Sequence, residues 1–347
     1  MRLALDISSL SSGHKFRGLG FYTKRLLAEL KLNKKITLLP FTKKPPKNID
    51  LIHYPAFTLF HPQHLLFRNR TPVVITVHDL IPLKYPQHFP PGIKGSLKWQ
   101  LQKQLLKQAQ AIITDSQASQ TDIIKFTGIP KSKIKVIYLA ADQIFKPLKD
   151  KVWLAKIKKR YQLPPKFILY VGDMNWNKNI LALVKSCLKL KYPLVVVGKQ
   201  VLSDIKKPHH PEVKELVLFQ QLATTHPETI IRLGFAPTKD LVGIYNLAAC
   251  YAQPSRAEGF GLPVLEAMAC GCPVVTSKAT SLSEIAGQAA QLIDPHSQTQ
   301  LTAALKAYWQ SPSLRTKMSR LGLNQVKQFS WQKTATATFK VYEKISQ

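Results

Sequence analysis

The chain reads as an α/β protein made of two doubly wound parallel sheets in succession. Three observations predict this. Short apolar runs of strand length alternate with longer helical patterns from end to end, as parallel strands with crossover helices do. The 347 residues, 45% of them hydrophobic, are enough for two full cores and too many for one unit of ordinary size. A break in composition also divides the runs into two sets near Pro147.

In the first half, strands are expected at 3–7, 36–39, 51–53, 73–77, 111–114 and 135–138, with helical patterns at 20–31, 93–108 and 119–126. In the second half, strands are expected at 167–171, 194–197, 230–233, 250–253 and 274–276, with helices filling the gaps. Between the sets, Phe145, Lys146 and Pro147 lead into the charged stretch 149–160 and then Pro164 and Pro165, which reads as a linker. The expected divisions are 1–146, 147–330 and a closing segment 331–347. No self-similarity at a fixed period connects the halves.

Fifty Lys and Arg against nineteen Asp and Glu give a formal charge of +31 and a sequence pI near 10.0. Such a balance calls for anionic partners: nucleic acid, an anionic membrane surface or phosphorylated small molecules. The lysines are scattered and not gathered in one tail, which also fits a solvated basic surface. Specific nucleic-acid binding is disfavoured, because neither a recognisable module nor aromatic platforms in a basic groove can be read. Cys187, Cys250, Cys270 and Cys272 include no C-x-x-C pair, which fits a reduced, cytoplasmic compartment. Asp6 interrupts the apolar stretch at the N-terminus, and no run approaches the roughly 18 apolar residues of a membrane span. Any membrane contact is expected to be peripheral, on the inner face of the cell membrane.

The segment 253–277, QPSRAEGFGLPVLEAMACGCPVVTS, places a strand, a glycine loop and a helix from about Leu262 in succession. The first turn of such a helix aims unpaired N–H groups outward and suits an anion such as phosphate. Gly259 and Gly261 let a ligand approach the backbone, while Glu258 and Glu266 flank the same place. Either glutamate alone would read as an ordinary helix-end or solvated side chain. Together with the glycines they read as a site.

The spacing glutamate, seven residues, glutamate resembles the signature of retaining GT-B glycosyltransferases, in particular glycosyltransferase family 4. The likeness extends upstream through LGFAPTKDLVGIYNLAACYAQPS and downstream through SLSEIAGQAAQLIDP. It implies a GT-B fold, two Rossmann-like domains facing a central cleft. It further implies that Glu258 contacts the transferring sugar, that Glu266 holds the ribose hydroxyls, and that Phe260, Gly261 and Leu262 meet sugar and phosphate through their backbone. Ala236, in the upstream stretch, joins this donor-binding set.

In 170–180, YVGDMNWNKNI, Lys178 stands at a helix start. By itself it would read as one surface lysine among many; the resemblance implies that it binds the donor phosphates and neutralises the leaving diphosphate. Family members place an arginine just after the glycine or just before the lysine, where this chain has Asp173 and Asn177. That departure motivates a rival reading, a catalytically weakened GT-B scaffold.

In the first half, Arg17 to Thr23 read RGLGFYT, a glycine turn opening a helix; the resemblance assigns Gly18 and Gly20 to the loop facing the diphosphate and acceptor. His78 and Asp79 follow the strand 73–77 and so emerge at a carboxyl end, where α/β sheets place ligands. The stretch VHDLIPL resembles a family motif that puts His78 near the reaction centre and leaves Asp79 to orient neighbours. Ser116 and Ser119 face the same region or cap a helix. The closing FSWQKTATATFKVYEKI resembles a final helix that packs back on the N-terminal domain.

The segment 92–108 has Ile93, Leu97, Leu101 and Leu105 at four-residue spacing, among Lys94, Lys98, Lys103 and Lys107. The stripe predicts a core-facing helix; the competing reading docks it on anionic lipid.

The expected activity is therefore retaining transfer of a hexose from a nucleotide diphosphate sugar to a hydroxyl of a glycan or lipid-linked saccharide, as in cell-envelope polysaccharide biosynthesis. GDP-mannose is the first donor expected and a UDP-sugar the second. No D-x-D occurs, so neither a metal nor a further cofactor is expected, and positive groups with a helix N-terminus replace the metal. GT-B phosphorylases and sugar epimerases share the fold but match these motifs less well.

Overall fold

The structure, a computed structural model, describes residues 1–11, 18–60, 71–205 and 210–346. They fall into two compact units, one of Met1–Ala140 with Phe329–Gln347 and one of Ala141–Gln328.

The first unit runs β1 (Arg2–Asp6), α1 (Gly18–Leu30), β2 (Thr37–Phe41), β3 (Leu51–Tyr54), β4 (Val73–Thr76), α2 (Ile81–Lys84), α3 (Gly92–Gln108), β5 (Ala111–Thr114), α4 (Gln117–Thr127) and β6 (Ile134–Val136). Its six strands are all parallel, in the order β2-β1-β3-β4-β5-β6. Every residue of β3, β4 and β5 is buried, which is why β4 and β5 appear in the sequence as apolar runs closed by a threonine, while β3 carries the buried His53. Helix α1 buries Tyr22, Leu26 and Leu30 at four-residue spacing. Helix α4 is capped at both ends: the Ser116 hydroxyl accepts from the Ser119 N–H, and Gly128 closes the C-terminus at φ 73°.

The second unit runs α5 (Lys151–Arg160), β7 (Ile168–Val171), α6 (Ile180–Leu190), β8 (Leu194–Val197), α7 (Lys214–Thr225), β9 (Ile230–Gly234), α8 (Thr238–Leu247), β10 (Cys250–Gln253), α9 (Leu262–Ala269), β11 (Val274–Ser277), α10 (Ser281–Ala286), β12 (Ala290–Ile293), α11 (Gln298–Gln310) and α12 (Pro312–Gln325). Its sheet, also all parallel, has the order β9-β8-β7-β10-β11-β12. The strand order reverses between β7 and β10, so the loops leaving their carboxyl ends diverge and open a crevice for ligand.

The last helix, α13 (Trp331–Ser346), belongs to the first unit. Trp331 meets the Phe21 ring edge-on at 5.7 Å, and the Thr334 hydroxyl donates to the Tyr138 carbonyl at 2.7 Å. Deeper in, Tyr342 Oη is hydrogen-bonded to His53 Nδ1 at 2.6 Å, and His53 Nε2 to Thr76 Oγ1 at 2.8 Å. Burial holds His53 down at about 3, so the ring is neutral and serves as donor at one nitrogen and acceptor at the other.

Besides the short helix α2, which was not foreseen, three elements depart from the sequence expectation. The charged stretch read as a linker contains helix α5, started by the Asp150 carboxylate accepting from the Trp153 N–H; Ile157 is buried against Gly243 while Lys156, Lys158 and Lys159 point to solvent. Strand β12 was not foreseen: it lies at the sheet edge, and only its first and last residues are buried. In α3 the expected orientation is inverted. Gly95, Trp99, Gln102 and Leu106 are buried, whereas Ile93, Leu97 and Leu101 are exposed; of the expected stripe only Leu105 packs, partly buried, against the core. The inward face is fastened by Gln102, whose Nε2 donates to the Thr58 and Leu59 carbonyls.

Candidate active site

The crevice of the second unit is built from two loops. One follows β7 and reaches α6 through a single helical turn, Trp176–Lys178, with Asn179 in the left-handed region at φ 57°. The other follows β10 and carries Pro254 to Gly261 into α9. Asn177 ties the loops together: its side-chain amide donates to the Ala257 carbonyl at 3.0 Å, and its own carbonyl accepts from the Arg256 N–H at 2.7 Å. A polar side chain is thus needed at 177 as a buried brace.

Between these loops Lys178 and Glu258 form an ion pair, with Nζ 2.9 Å from Oε1 and 2.8 Å from Oε2. Oε1 also accepts from Gln253 Nε2 and Ser255 Oγ, both at 2.7 Å. A carboxylate this buried persists because four donor contacts replace its water. Behind it, Tyr251 Oη donates to Gln253 Oε1 at 2.6 Å. The backbone is held as firmly: the Glu258 N–H donates to Thr280 Oγ1, and Ser281 Oγ lies 3.0 and 2.8 Å from the Glu258 and Phe260 carbonyls.

Gly261 precedes α9 at φ 111°, and a methyl group there would come within 2.6 Å of Leu282 Cδ2. Both facts demand glycine. Gly261→Ala is expected to lower stability by about 2–4 kcal/mol, since it adds strained backbone to a core clash. Urea denaturation measures this; a loss within experimental error would mean the loop relaxes freely.

Glu266, one turn into α9, is partly buried and accepts from Tyr245 Oη at 3.1 Å. Burial pushes its carboxyl up to about 7, against the opposing effect of the tyrosine hydrogen bond. The Tyr245 and Tyr251 rings meet edge-on at 5.7 Å, so the supports of the two glutamates are packed against each other. Phe260 and Ala236 are buried, Ala236 just beyond the end of β9, and Leu262 is the first residue of α9.

The crevice thus gathers Lys178, Glu258, Phe260, Gly261, Leu262 and Glu266 around the loop into α9. Gln253, Ser255, Thr280 and Ser281, which hold it in shape, went unassigned. The sequence signal for Gln253, Ser255 and Ser281 is their place inside the motif-bearing stretches, while Thr280 falls between two of them. Arg256 also went unassigned: its guanidinium lies over the Trp176 ring at 4.8 Å and donates to the Trp176 carbonyl, putting a second positive group beside the turn that carries Lys178.

In the first unit, His78 stands just past the carboxyl end of β4. Its Nδ1 is hydrogen-bonded to Asp115 Oδ2, and its Nε2 donates to the Pro55 carbonyl at 3.0 Å. Burial lowers the imidazole pKa, but the Asp115 carboxylate and the Pro55 carbonyl more than offset this, leaving it above its ordinary value. Asp115 is raised by its own burial, so the pair holds its proton tightly. Asp115 was not foreseen, because only the sheet brings the ends of β4 and β5 side by side. Ser119 Oγ donates to the His78 carbonyl at 2.8 Å, and Ser116 is the cap of α4. Asp79 accepts from the Ile81 N–H at 3.0 Å. Gly18 is exposed and Gly20 buried in the first turn of α1, while Arg17 lies outside the described residues.

Two successive six-stranded parallel Rossmann-like sheets, the second with its polar crevice at the strand-order reversal, make up the GT-B fold of glycosyltransferases and related sugar-nucleotide enzymes. The model for glycosyl transferases group 1 matches residues 153–325, and that for glycosyltransferase family 4 matches residues 13–143. The chain belongs to glycosyltransferase family 4.

It is 31% identical over 327 residues to the O-antigen chain mannosyltransferase B of Escherichia coli, covering 88% of this chain and 82% of that one. It is 30% identical over 274 residues to a serotype-specific mannosyltransferase WbdA of Escherichia coli, covering 76% of this chain but 32% of that longer one. Among solved structures, Anabaena Alr3699/HepE in complex with UDP-glucose superposes with a TM-score of 0.76 at 19% identity, covering 99% of this chain and all of that one. The protein is a glycosyltransferase. No helix among the described residues is long and apolar enough to cross a membrane.

Proposed function

We propose that the enzyme transfers mannose from GDP-mannose to a hydroxyl of a cell-envelope glycan or lipid-linked saccharide, with retention of configuration and without a metal. The observation that carries the transfer reading is the Lys178–Glu258 pair at the mouth of the loop into α9, with Glu266 one turn further on. Mannose as the sugar is supported by the two mannosyltransferase relatives. A nucleotide-sugar donor is supported by the fold neighbour that binds UDP-glucose.

In this reading the donor diphosphate sits on the N-terminus of α9 and takes Lys178 from Glu258 as its counter-charge. Released from the lysine, Glu258 faces the sugar and stabilises positive charge at the anomeric carbon, while the ionised Glu266 accepts from the ribose hydroxyls. The bond from anomeric carbon to phosphate oxygen breaks, the acceptor oxygen attacks the same face, and the leaving phosphate takes the acceptor proton. Gly18, Gly20 and His78 keep the roles that the family resemblance implies. The brace formed by Asn177 supports an intact site over a weakened scaffold although neither Asp173 nor Asn177 is an arginine, and Arg256, 3.8 Å from Glu215, offers the second positive charge.

A thermal-shift panel of nucleotide sugars tests the donor. GDP-mannose at about 100 times its Kd is expected to stabilise by about 2.7 kcal/mol, near 5–10 °C for a unit of this size, with UDP-sugars giving less. Chelation should leave activity unchanged, and NMR of the product should show an α-mannosidic linkage. A response to UDP-sugars alone would reassign the donor. Loss of activity on chelation, restored by a divalent ion, would overturn the metal-independent mechanism.

A further inference from the structure

The outward ridge of α3 is left open to solvent among the described residues. Ile93, Leu97 and Leu101 are 84%, 68% and 56% exposed and stand one helical turn apart, a line of three aliphatic side chains about 12 Å long. Other strongly exposed apolar side chains among the described residues, such as Leu32, Val152 and Leu202, stand singly in sequence. The inward face of α3 already packs through Trp99 and Leu106 and is pinned by Gln102, so rotation cannot bury the ridge without tearing that face out. At 100° per residue, Lys94 and Lys98 fall to one side of the ridge, and Lys103 and Lys107 to the other. No acidic residue occurs between Asp79 and Asp115, a stretch that carries five lysines.

We propose that α3 is a membrane-docking helix, which inserts the Ile93–Leu97–Leu101 ridge among the acyl chains of an anionic bilayer while its flanking lysines bind lipid headgroups. The charge pattern selects this occupant. Protein interfaces are depleted in lysine and anchored by aromatic or arginine side chains, whereas this ridge is wholly aliphatic and lysine-flanked. An interfacial helix lies in the bilayer plane with its apolar line buried and its lysines at headgroup level. Each near-surface lysine is worth roughly fivefold in partitioning on an anionic leaflet. Binding that combines ridge and lysines is moderate and reversible.

Co-sedimentation of the full chain with phosphatidylcholine vesicles, with and without phosphatidylglycerol, tests the assignment. The chain is expected to pellet with the anionic vesicles only. The triple substitution Ile93→Ser, Leu97→Ser, Leu101→Ser should cut partitioning at least about tenfold without changing circular dichroism, since these side chains are exposed. Replacing Lys94, Lys98, Lys103 and Lys107 by glutamine should cut it at least as much and flatten its salt dependence. Replacing Lys151, Lys156, Lys158 and Lys159 of α5 by glutamine removes the same charge elsewhere and should cost no more than about twofold. Failure of the wild-type chain to pellet with anionic vesicles overturns the proposal. So does undiminished binding by the ridge variant, or an equal loss from the α5 variant, which would show diffuse electrostatic attraction. Self-association through the ridge in place of lipid binding would overturn it as well.

Discussion

Replacing Lys178 by methionine is expected to abolish sugar transfer, lowering kcat/KM by a factor of about 1,000 or more, and to destabilise the free protein by about 2–4 kcal/mol. The two losses have different origins. Catalysis loses the cation proposed to neutralise the leaving diphosphate. Stability falls because Glu258, buried at 8% exposure, keeps the donors from Gln253 and Ser255 but loses its counter-charge. The double variant Lys178→Met, Glu258→Gln separates them. With no charge left to compensate, it should regain most of the lost stability in urea denaturation and none of the activity. Persistent destabilisation of the double variant would show that the lysine matters for packing and not for charge. Activity within tenfold of wild type in Lys178→Met would remove this residue from the mechanism.

Glu266→Gln is expected to stabilise the free protein above neutral pH and to weaken donor binding at the same time. The carboxyl stands at about 7 in the folded protein against an ordinary value near 4.5. Between those values the folded chain holds a proton that the unfolded chain has released. Stability therefore falls as pH rises from about 4.5 to 7, and the full cost is present above 7. Glutamine carries no such cost, so the variant should exceed wild type by about 3 kcal/mol at pH 8 and match it near pH 4.5. Donor binding runs the other way, because the ionised carboxylate is the better acceptor for two ribose hydroxyls. Wild-type affinity for nucleotide sugar should rise several-fold as pH passes 7. The variant should be about 10- to 100-fold weaker and flat with pH. Equal pH profiles for the two proteins would refute the ribose role.

Much of this was legible in the sequence because parallel strands buried on both faces leave unbroken apolar runs. Residues 73–76, 111–114 and 194–197 are such runs, and each is a strand throughout. Strand β12 was not legible, because an edge strand needs only part of its surface buried and Gln291 and Leu292 break the pattern. Helix α5 was obscured by its charge: its few inward residues are outnumbered by lysines that only the folded helix turns outward. For α3 the spacing revealed a stripe, but a stripe does not say which way it faces. The helix also carries Trp99 and Leu106 on the opposite side, and burying an indole against the sheet removes more apolar surface from water than burying an aliphatic side chain.

The motif around Glu258 and Glu266 shows where the two levels of information divide. Glycine at 259 and 261, glutamates eight positions apart and a helix beginning at Leu262 are local properties, readable because backbone conformation and helical spacing depend on near neighbours. The pairing of Lys178 with Glu258 spans 80 residues, the support of Glu258 by Thr280 spans 22, and the protonation of Glu266 depends on burial beside Tyr245. Likewise His78 meets Asp115 only because β4 and β5 are neighbours in the sheet. Charge pairing and desolvation depend on distance in space, so they were decided only when the strand orders brought β7 beside β10 in one sheet and β4 beside β5 in the other.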